Sequence, residues 1–108
     1  MIQLHAQTRI LLAIQPIDFR KGIDGFVAAC QGVLESNPRD GQYFVFINRA
    51  RTMVRLLHYD GNGYWLATKR LSKGHFPRWP NAVSGTTCAL LATQLRPLLA
   101  GATWQWHG

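Results

Sequence analysis

The spacing of apolar residues divides the first part of the chain into a strand and a helix. Residues 8–14 are β-branched and aliphatic and end before a proline, a pattern that predicts a buried strand. Across residues 16–36 the apolar positions follow a helical period, which predicts a helix with Asp18 as its N-cap. Its apolar stripe consists of Ile23, Phe26, Val27, Cys30, Val33 and Leu34.

The middle of the chain has the pattern of three strands joined by two tight turns. Residues 43–47 are apolar on both sides, as in a central strand covered on two faces. After a turn at residues 48–51, residues 52–59 and 64–70 flank a glycine-rich turn that is typical of a hairpin. One face of this hairpin is predicted to pair Tyr59 with Tyr64, Leu57 with Leu66 and Arg55 with Thr68. The other face is predicted to pair His58 with Trp65, Leu56 with Ala67 and Val54 with Lys69.

The last third of the chain predicts a loop and a second helix. Residues 71–84 are rich in glycine and proline and read as a loop, and Ser84 or Thr86 is the predicted cap of a helix that runs to about Ala100. Together the segments predict a single domain over residues 1–108 of the α+β class. The expected sheet is mostly antiparallel: a meander of three or more strands with an N-terminal strand added, packed against two helices.

Composition and charge narrow the classes of protein to which the chain can belong. There are 12 lysines and arginines against 5 acidic residues, and the net charge of +7 favours nucleic acid or an acidic surface as the partner. The two cysteines, Cys30 and Cys88, lie in apolar patterns and indicate core residues rather than a disulfide framework. No segment approaches the roughly 20 apolar residues that span a bilayer, and no leader sequence is recognisable. We therefore expect a cytoplasmic protein without a membrane partner.

The basic residues are concentrated in the predicted hairpin and in the two loops beside it. Arginine predominates, and its planar guanidinium donates bidentately to phosphate. We predict a nucleic-acid-binding surface formed by Arg49, Arg51, Arg55, Lys69, Arg70, Lys73, Arg78 and Trp79. Tyr64, Trp65 and Phe76 are further candidates for stacking on bases. For Trp65 and Trp79 the sequence leaves open whether the rings are core or contact residues.

A second candidate site for phosphate lies where the first helix is predicted to begin. Arg20, Lys21 and Gly22 could hold a phosphate with two cations and backbone N–H groups. The alternative, which we favour, is that Arg20 pairs with Asp18 or Asp24 and that the neighbouring glycines allow close packing.

Residues that could carry catalysis or bind a metal are few and scattered. A two-metal nuclease needs carboxylates that converge, whereas the acids of this chain are mostly turn and helix-start residues. No two histidines have the spacing of metal ligands. The sequence therefore predicts no catalytic residue, no metal and no cofactor, and a protein that is not an enzyme.

Several unusual strings of this chain occur together in one family. The run PIDFRKGIDGF, residues 16–26, resembles the Pro-x-Asp-Met-Arg-Lys-Gly-x-Asp-Gly signature of TnpB, the small accessory protein of the IS sixty-six family of bacterial insertion sequences. The strings DGQYFVFINRAR and LLHYDGNGYWLATKRLSKGHFPRWP, and a Gln-Leu-x-x-Leu-Leu-x-Gly end, agree with that family in order. The chain departs from the pattern at Phe19, where Met is usual, and by one extra residue between Phe76 and Trp79.

This resemblance implies a function that the residues alone do not. Proteins of this kind, which are distinct from the RNA-guided nuclease that shares their name, resemble helpers of a separate transposase that performs the DNA chemistry. We therefore expect a non-catalytic accessory protein that binds DNA or the transposase–DNA complex, with the transposase and another accessory protein as partners. The alternative is an adaptor that contacts an acidic surface of one of those proteins without binding DNA. Neither reading predicts the oligomeric state.

Overall fold

The computed structural model describes residues 7–32, 34–77, 79–80 and 85–99. These residues form a sheet with helices packed on it, which confirms the predicted α+β class. The elements are β1 (Arg9–Ala13), α1 (Ile23–Gly32), β2 (Tyr43–Ile47), β3 (Met53–Tyr59), β4 (Tyr64–Arg70), β5 (Thr87–Leu91) and α2 (Ala92–Leu98). Within this part of the chain no helix is long and apolar enough to cross a bilayer.

The strands form one mixed sheet in the order β4-β3-β2-β1-β5. β1 and β2 run parallel, and the other neighbouring pairs are antiparallel. A parallel pair needs a crossover connection, and α1 lies in that connection. The predicted N-terminal strand therefore occupies a position inside the sheet rather than at its edge.

The hairpin of β3 and β4 has the register that the sequence predicts. Leu57 lies opposite Leu66, His58 opposite Trp65, and the remaining pairs also agree. The turn fixes this register because the Asp60 N–H donates to the Gly63 carbonyl oxygen at 3.0 Å. The same turn places Gly61 at φ +107°, a conformation that side chains disfavour.

The core lies on both faces of the sheet, with β2 at its centre. On the first face Phe44, Phe46 and Leu57 pack against Phe26 and Cys30 of α1. Burial raises the pKa of the Cys30 thiol to about 12. On the second face the buried residues are Ile10, Leu12, Val45, Ile47, Val54, Phe76, Trp79 and Leu95. Burial on two faces explains why β2 is apolar at successive positions.

Helix α1 begins at Ile23, later than the start implied by the predicted N-cap at Asp18. Before it, the Ile17 N–H donates to the Ile47 carbonyl oxygen at 3.0 Å, which holds the chain against the sheet. Gly22 takes the N-cap position that was predicted for Asp18, because its carbonyl oxygen accepts the Phe26 N–H at 3.2 Å.

Glycine at position 25 is required by the loop before α1. A Cβ at Gly25 would lie 2.5 Å from the Lys21 Cβ, whereas one at Gly22 would meet nothing within 4 Å. Close packing therefore explains Gly25, although the neighbour is the loop before α1 and not a strand.

The segment 87–91, predicted as part of the second helix, is strand β5. It pairs antiparallel with β1, with Leu90 opposite Ile10 and Cys88 opposite Leu12. β1 is buried and needs a second neighbour for its backbone groups, and β5 supplies it. Only Ala92–Leu98 is helical, and the Gln94 side chain accepts the Leu91 N–H at 2.8 Å where that helix begins. The predicted cap Ser84 and the predicted end at Ala100 lie outside the described residues.

The hairpin turn allows a matched test of the backbone requirement. Gly61→Ala should lower the free energy of unfolding by about 1–2 kcal/mol, because alanine is strained at positive φ. Gly63→Ala is the control, since Gly63 lacks a positive φ and an added Cβ meets nothing within 4 Å. Urea unfolding followed by circular dichroism measures both values, and equal losses for the two variants would contradict this turn conformation.

Candidate nucleic-acid interface

The two basic loops predicted from the sequence meet at one end of the sheet. The Leu71 N–H donates to the Thr52 carbonyl oxygen at 2.9 Å, and the Phe76 N–H donates to the Arg51 carbonyl oxygen at 2.8 Å. The hairpin requires this proximity, since β4 ends opposite the residue at which β3 begins. We term residues 48–52 together with residues 69–76 the basic end of the sheet.

Asn48 fixes the shape of the turn between β2 and β3. Its Oδ1 accepts the N–H groups of Thr52 and Met53 at 2.9 and 3.0 Å, and its Nδ2 donates to the Thr52 hydroxyl at 3.0 Å. Arg51 adopts φ +60° and donates its N–H to the Asn48 carbonyl oxygen at 3.1 Å. This turn leaves Arg49 exposed at its tip. An asparagine before a tight turn is a local signal that sequence reasoning could have used.

The cations of the basic end differ in how far they are exposed to solvent. Arg49, Arg70 and Lys73 are exposed, and Arg51 and Lys69 are half-buried. Among the described residues, no acidic side chain forms an ion pair with Arg49, Arg51 or Arg70. Five of the eight residues predicted to bind nucleic acid therefore lie together at one end of the molecule.

Two acidic residues, Asp40 and Asp60, lie at the opposite end of the sheet. Asp60 occupies the turn that follows β3, and Asp40 precedes β2, whose first residue lies opposite His58 near the end of β3. The seven residues of β3 separate the two ends by about 20 Å, at roughly 3.3 Å per residue. Asp18, which lines a cavity with Arg49, is paired with Arg20, so the positive potential of the basic end is largely uncompensated.

Arg55, also predicted to bind nucleic acid, is engaged within the protein. Its Nη1 donates to the Phe19 carbonyl oxygen at 2.7 Å, and its Nε donates to the Thr68 hydroxyl at 2.9 Å. The guanidinium carbon lies 4.9 Å from the centroid of the Phe19 ring. These contacts hold the loop before α1 on the sheet, so we leave Arg55 out of the interface.

Trp79 is a core residue, which corrects its predicted contact with nucleic acid. Its ring is only 5% exposed, and its indole N–H donates to the Ala13 carbonyl oxygen at 2.9 Å. Phe76 is fully buried in the same cluster. The physical reason is that α2, with seven residues, is too short to cover its face of the sheet, so the loop after β4 covers the rest. Arg78 lies outside the described residues.

Trp65 differs from Trp79, because 41% of its side chain is exposed. Its indole N–H donates to the Asp60 carboxylate at 2.7 Å, and this hydrogen bond lowers the pKa of Asp60. Trp65 therefore lies at the acidic end of the hairpin, away from the basic end.

At residues 20–22 the structure shows the ion pair that we favoured over a phosphate site. The Arg20 guanidinium donates to both carboxylate oxygens of Asp18, with the shortest distance 2.7 Å. These hydrogen bonds lower the pKa of Asp18 to about 2. A role for Arg20, Lys21 and Gly22 in phosphate binding stays a prediction.

A cavity of about 580 Å³ lies between this loop and the turn of the basic end. Its lining is mixed, with apolar side chains beside charged ones. The lining residues are Ile17, Asp18, Phe19, Arg20, Asn48, Arg49, Ala50 and Met53. Within the described residues, no group of three or more His, Cys, Asp or Glu is placed to hold a metal ion.

Comparison with known proteins agrees with the motifs found along the chain. Residues 8–107 match the model of the family described as IS66 Orf2 like protein. The chain belongs to the IS66 Orf2-like family. It is 36% identical over 105 residues to "Uncharacterized protein y4hO" of Sinorhizobium fredii (strain NBRC 101917 / NGR234). The aligned residues cover 97% of this chain and 90% of that protein. It is 35% identical over 96 residues to "Uncharacterized protein y4jC" of the same strain, at 89% and 80% coverage.

Membership of the IS66 Orf2-like family confirms the resemblance predicted from the sequence. It assigns the chain to proteins associated with the transposition of an insertion sequence, in an accessory role. No solved structure matches this IS66 Orf2-like chain.

The pairing of Asp18 with Arg20 can be tested by titration. Asp18 should titrate with a pKa of about 2, and Arg20→Gln should return it toward the ordinary value of 3.8. Because the folded pKa is depressed, the carboxylate stabilises the fold above pH 3.8, and this contribution is lost as the pH falls through about 2. NMR of the carboxyl carbon follows the titration, with Arg39→Gln as the control. An Asp18 pKa that is the same in Arg20→Gln and in the unmutated protein would show that the pair is absent in solution.

The two tryptophans offer a matched test of their different placement. Trp79→Phe should lower the free energy of unfolding by about 1–3 kcal/mol, since it leaves the buried Ala13 carbonyl oxygen without the indole N–H. Trp65→Phe should cost less than about 1 kcal/mol, because Trp65 is 41% exposed and its hydrogen bond to Asp60 lies at the surface. Urea unfolding measures both, and a larger loss for Trp65→Phe would refute the assignment of Trp79 to the core.

Proposed function

We propose that this protein is a non-catalytic accessory of transposition that binds DNA through the basic end of its sheet. The observation that carries the proposal is that two loops, distant in sequence, are hydrogen-bonded together and bring five cations to one end of the sheet. Among the described residues, three of these cations, Arg49, Arg51 and Arg70, form no ion pair with an acidic side chain. The residues proposed to contact phosphates are Arg49, Arg51, Lys69, Arg70 and Lys73.

The chemistry of the basic end suits the phosphate backbone rather than the base edges. Arg49 lies at the tip of a turn, and Arg70 lies at the end of an edge strand. Both positions allow the side chain to contact phosphates along the DNA backbone. Contacts of this kind position a protein on DNA but carry little sequence information. The choice of DNA site would then belong to the transposase, which is also proposed to perform the strand chemistry and to be bound in the same complex.

Salt dependence provides the first measurement. If the five cations each neutralise one phosphate of duplex DNA, the slope of log K against log salt concentration should be about −4.5. Fluorescence anisotropy with labelled duplexes of two unrelated sequences measures the slope and the sequence preference together. Similar affinities for the two duplexes would support contact with the backbone.

A double substitution in the turn tests the assignment of residues. Arg49→Gln with Arg51→Asn should weaken binding to both duplexes and flatten the salt slope by about 2. Asparagine is chosen for Arg51 because it tolerates the positive φ. The control is Arg9→Gln with Arg39→Gln, which removes the same charge at the opposite end of the sheet. Equal losses in both double variants would refute the basic end as the site.

The same experiments separate DNA binding from the adaptor function. A protein that fails to bind duplex DNA at about 50 mM salt, where electrostatic binding is strong, does not have the proposed function. If that protein instead binds purified transposase, and Arg49→Gln with Arg51→Asn abolishes the binding, the cations serve an acidic protein surface. The adaptor function would then replace the one proposed here.

A further inference from the structure

Strand β4 lies at the edge of the described sheet, so half of its backbone groups have no strand beside them. Two hydrogen bonds fix which half it is: the Asp60 N–H to the Gly63 carbonyl oxygen, and the Leu71 N–H to the Thr52 carbonyl oxygen. Alternate residues of an antiparallel strand bond to the same neighbour, so the odd-numbered residues of β4 bond to β3. The residues whose N–H and C=O groups point to the open edge are Tyr64, Leu66, Thr68 and Arg70.

The sequence of β4 is complementary to itself when it is read in the opposite direction. It begins with the aromatic residues Tyr64 and Trp65 and ends with the cations Lys69 and Arg70. Its central residue, Ala67, is small and exposed. Trp65 is one of two large hydrophobic side chains that are exposed in the described part of the chain. The unpaired N–H and C=O groups of an edge strand form a template on which a strand of another chain can pair.

We propose that two copies of this protein pair antiparallel through their β4 strands, with the two-fold axis at Ala67. This register pairs Tyr64 with Arg70 of the other copy and Leu66 with Thr68 of the other copy, so that all the outward-facing residues of β4 are hydrogen-bonded. A register shifted by two residues leaves one of them in each copy without a β4 partner. The two sheets then form one continuous sheet.

Side chains across this interface are complementary on both faces of the sheet. On one face Trp65 meets Lys69 of the other copy, and on the other face Tyr64 meets Arg70 of the other copy. A cation beside an aromatic ring is a favourable cross-strand pair, and no two like charges lie directly opposite. Beyond the strand ends, the same register directs the turn that carries Asp60 toward the loop that carries Lys73 of the other copy.

Charged residues on an edge strand usually prevent association, and Lys69 and Arg70 do so for most partners. A strand that places aromatic residues opposite these two cations can still pair with them. β4 is such a strand, because its other end carries Tyr64 and Trp65. Each copy carries a net charge of +7, so long-range repulsion opposes the dimer and added salt should favour it. DNA binding weakens with salt, so the two activities respond in opposite directions.

The test uses the full chain without DNA in sedimentation velocity over a range of concentrations. The unmutated protein should be a dimer, and Ala67→Glu should raise the dissociation constant about tenfold or more, because two carboxylates then face each other across the axis. The matched control is Ala89→Glu in β5, the other edge strand, where the alanine is also exposed. This control should leave the dissociation constant unchanged. Trp65→Ser, which removes an exposed ring, should also weaken the dimer.

A mixing experiment identifies the register. Ala67→Lys should be as monomeric as Ala67→Glu, and the two variants should associate with each other when mixed, because only a register that pairs position 67 with itself joins the opposite charges. Circular dichroism shows that each variant is folded. A monomeric unmutated protein, or a dimer that Ala67→Glu leaves intact, overturns the proposal. Failure of DNA binding would not, since three of the five cations proposed to contact phosphates, Arg49, Arg51 and Lys73, lie outside β4.

Discussion

The parallel pairing of β1 with β2 determines where the other elements of this protein lie. Two adjacent strands that run in the same direction need a crossover, and the chain uses α1 and its flanking loops for it. The crossover leaves the Ile17 N–H bonded to the Ile47 carbonyl oxygen, at the end of β2. The turn of the basic end begins at the next residue, Asn48. The arginines of this turn therefore follow directly after β2, the most deeply buried strand of the sheet.

Arginine has two opposite uses in this molecule. Arg55 gives its hydrogen bonds to the Phe19 carbonyl oxygen and the Thr68 hydroxyl, and Arg20 is neutralised by Asp18. Arg49 has no such acceptor among the described residues and is available to a ligand. A count of charges along the chain cannot separate these uses, because the difference lies in whether folding brings an oxygen atom within 3 Å. For this reason the surface predicted from the sequence included Arg55.

The hairpin and β2 could be predicted from the residues of each segment alone. The features that were not predicted depend on contacts between residues far apart in the sequence. The turn at Gly61 sets the register of β3 and β4 with information contained in a few residues. Segment Thr87–Leu91 carries an apolar pattern that suits a helix equally well, and it becomes a strand because β1 has an edge to fill. Similarly, Trp79 is buried because its indole finds the carbonyl oxygen of Ala13, a residue far away in sequence. Sequence reasoning had no access to either partner.

The pairing of β1 with β5 has a consequence for how the protein acquires its fold. β1 is synthesised early, yet one of its two neighbours is made much later, and such distant pairings form slowly. Until β5 leaves the ribosome, the buried strand β1 has an unpaired side, and the nascent chain is a candidate for chaperone binding.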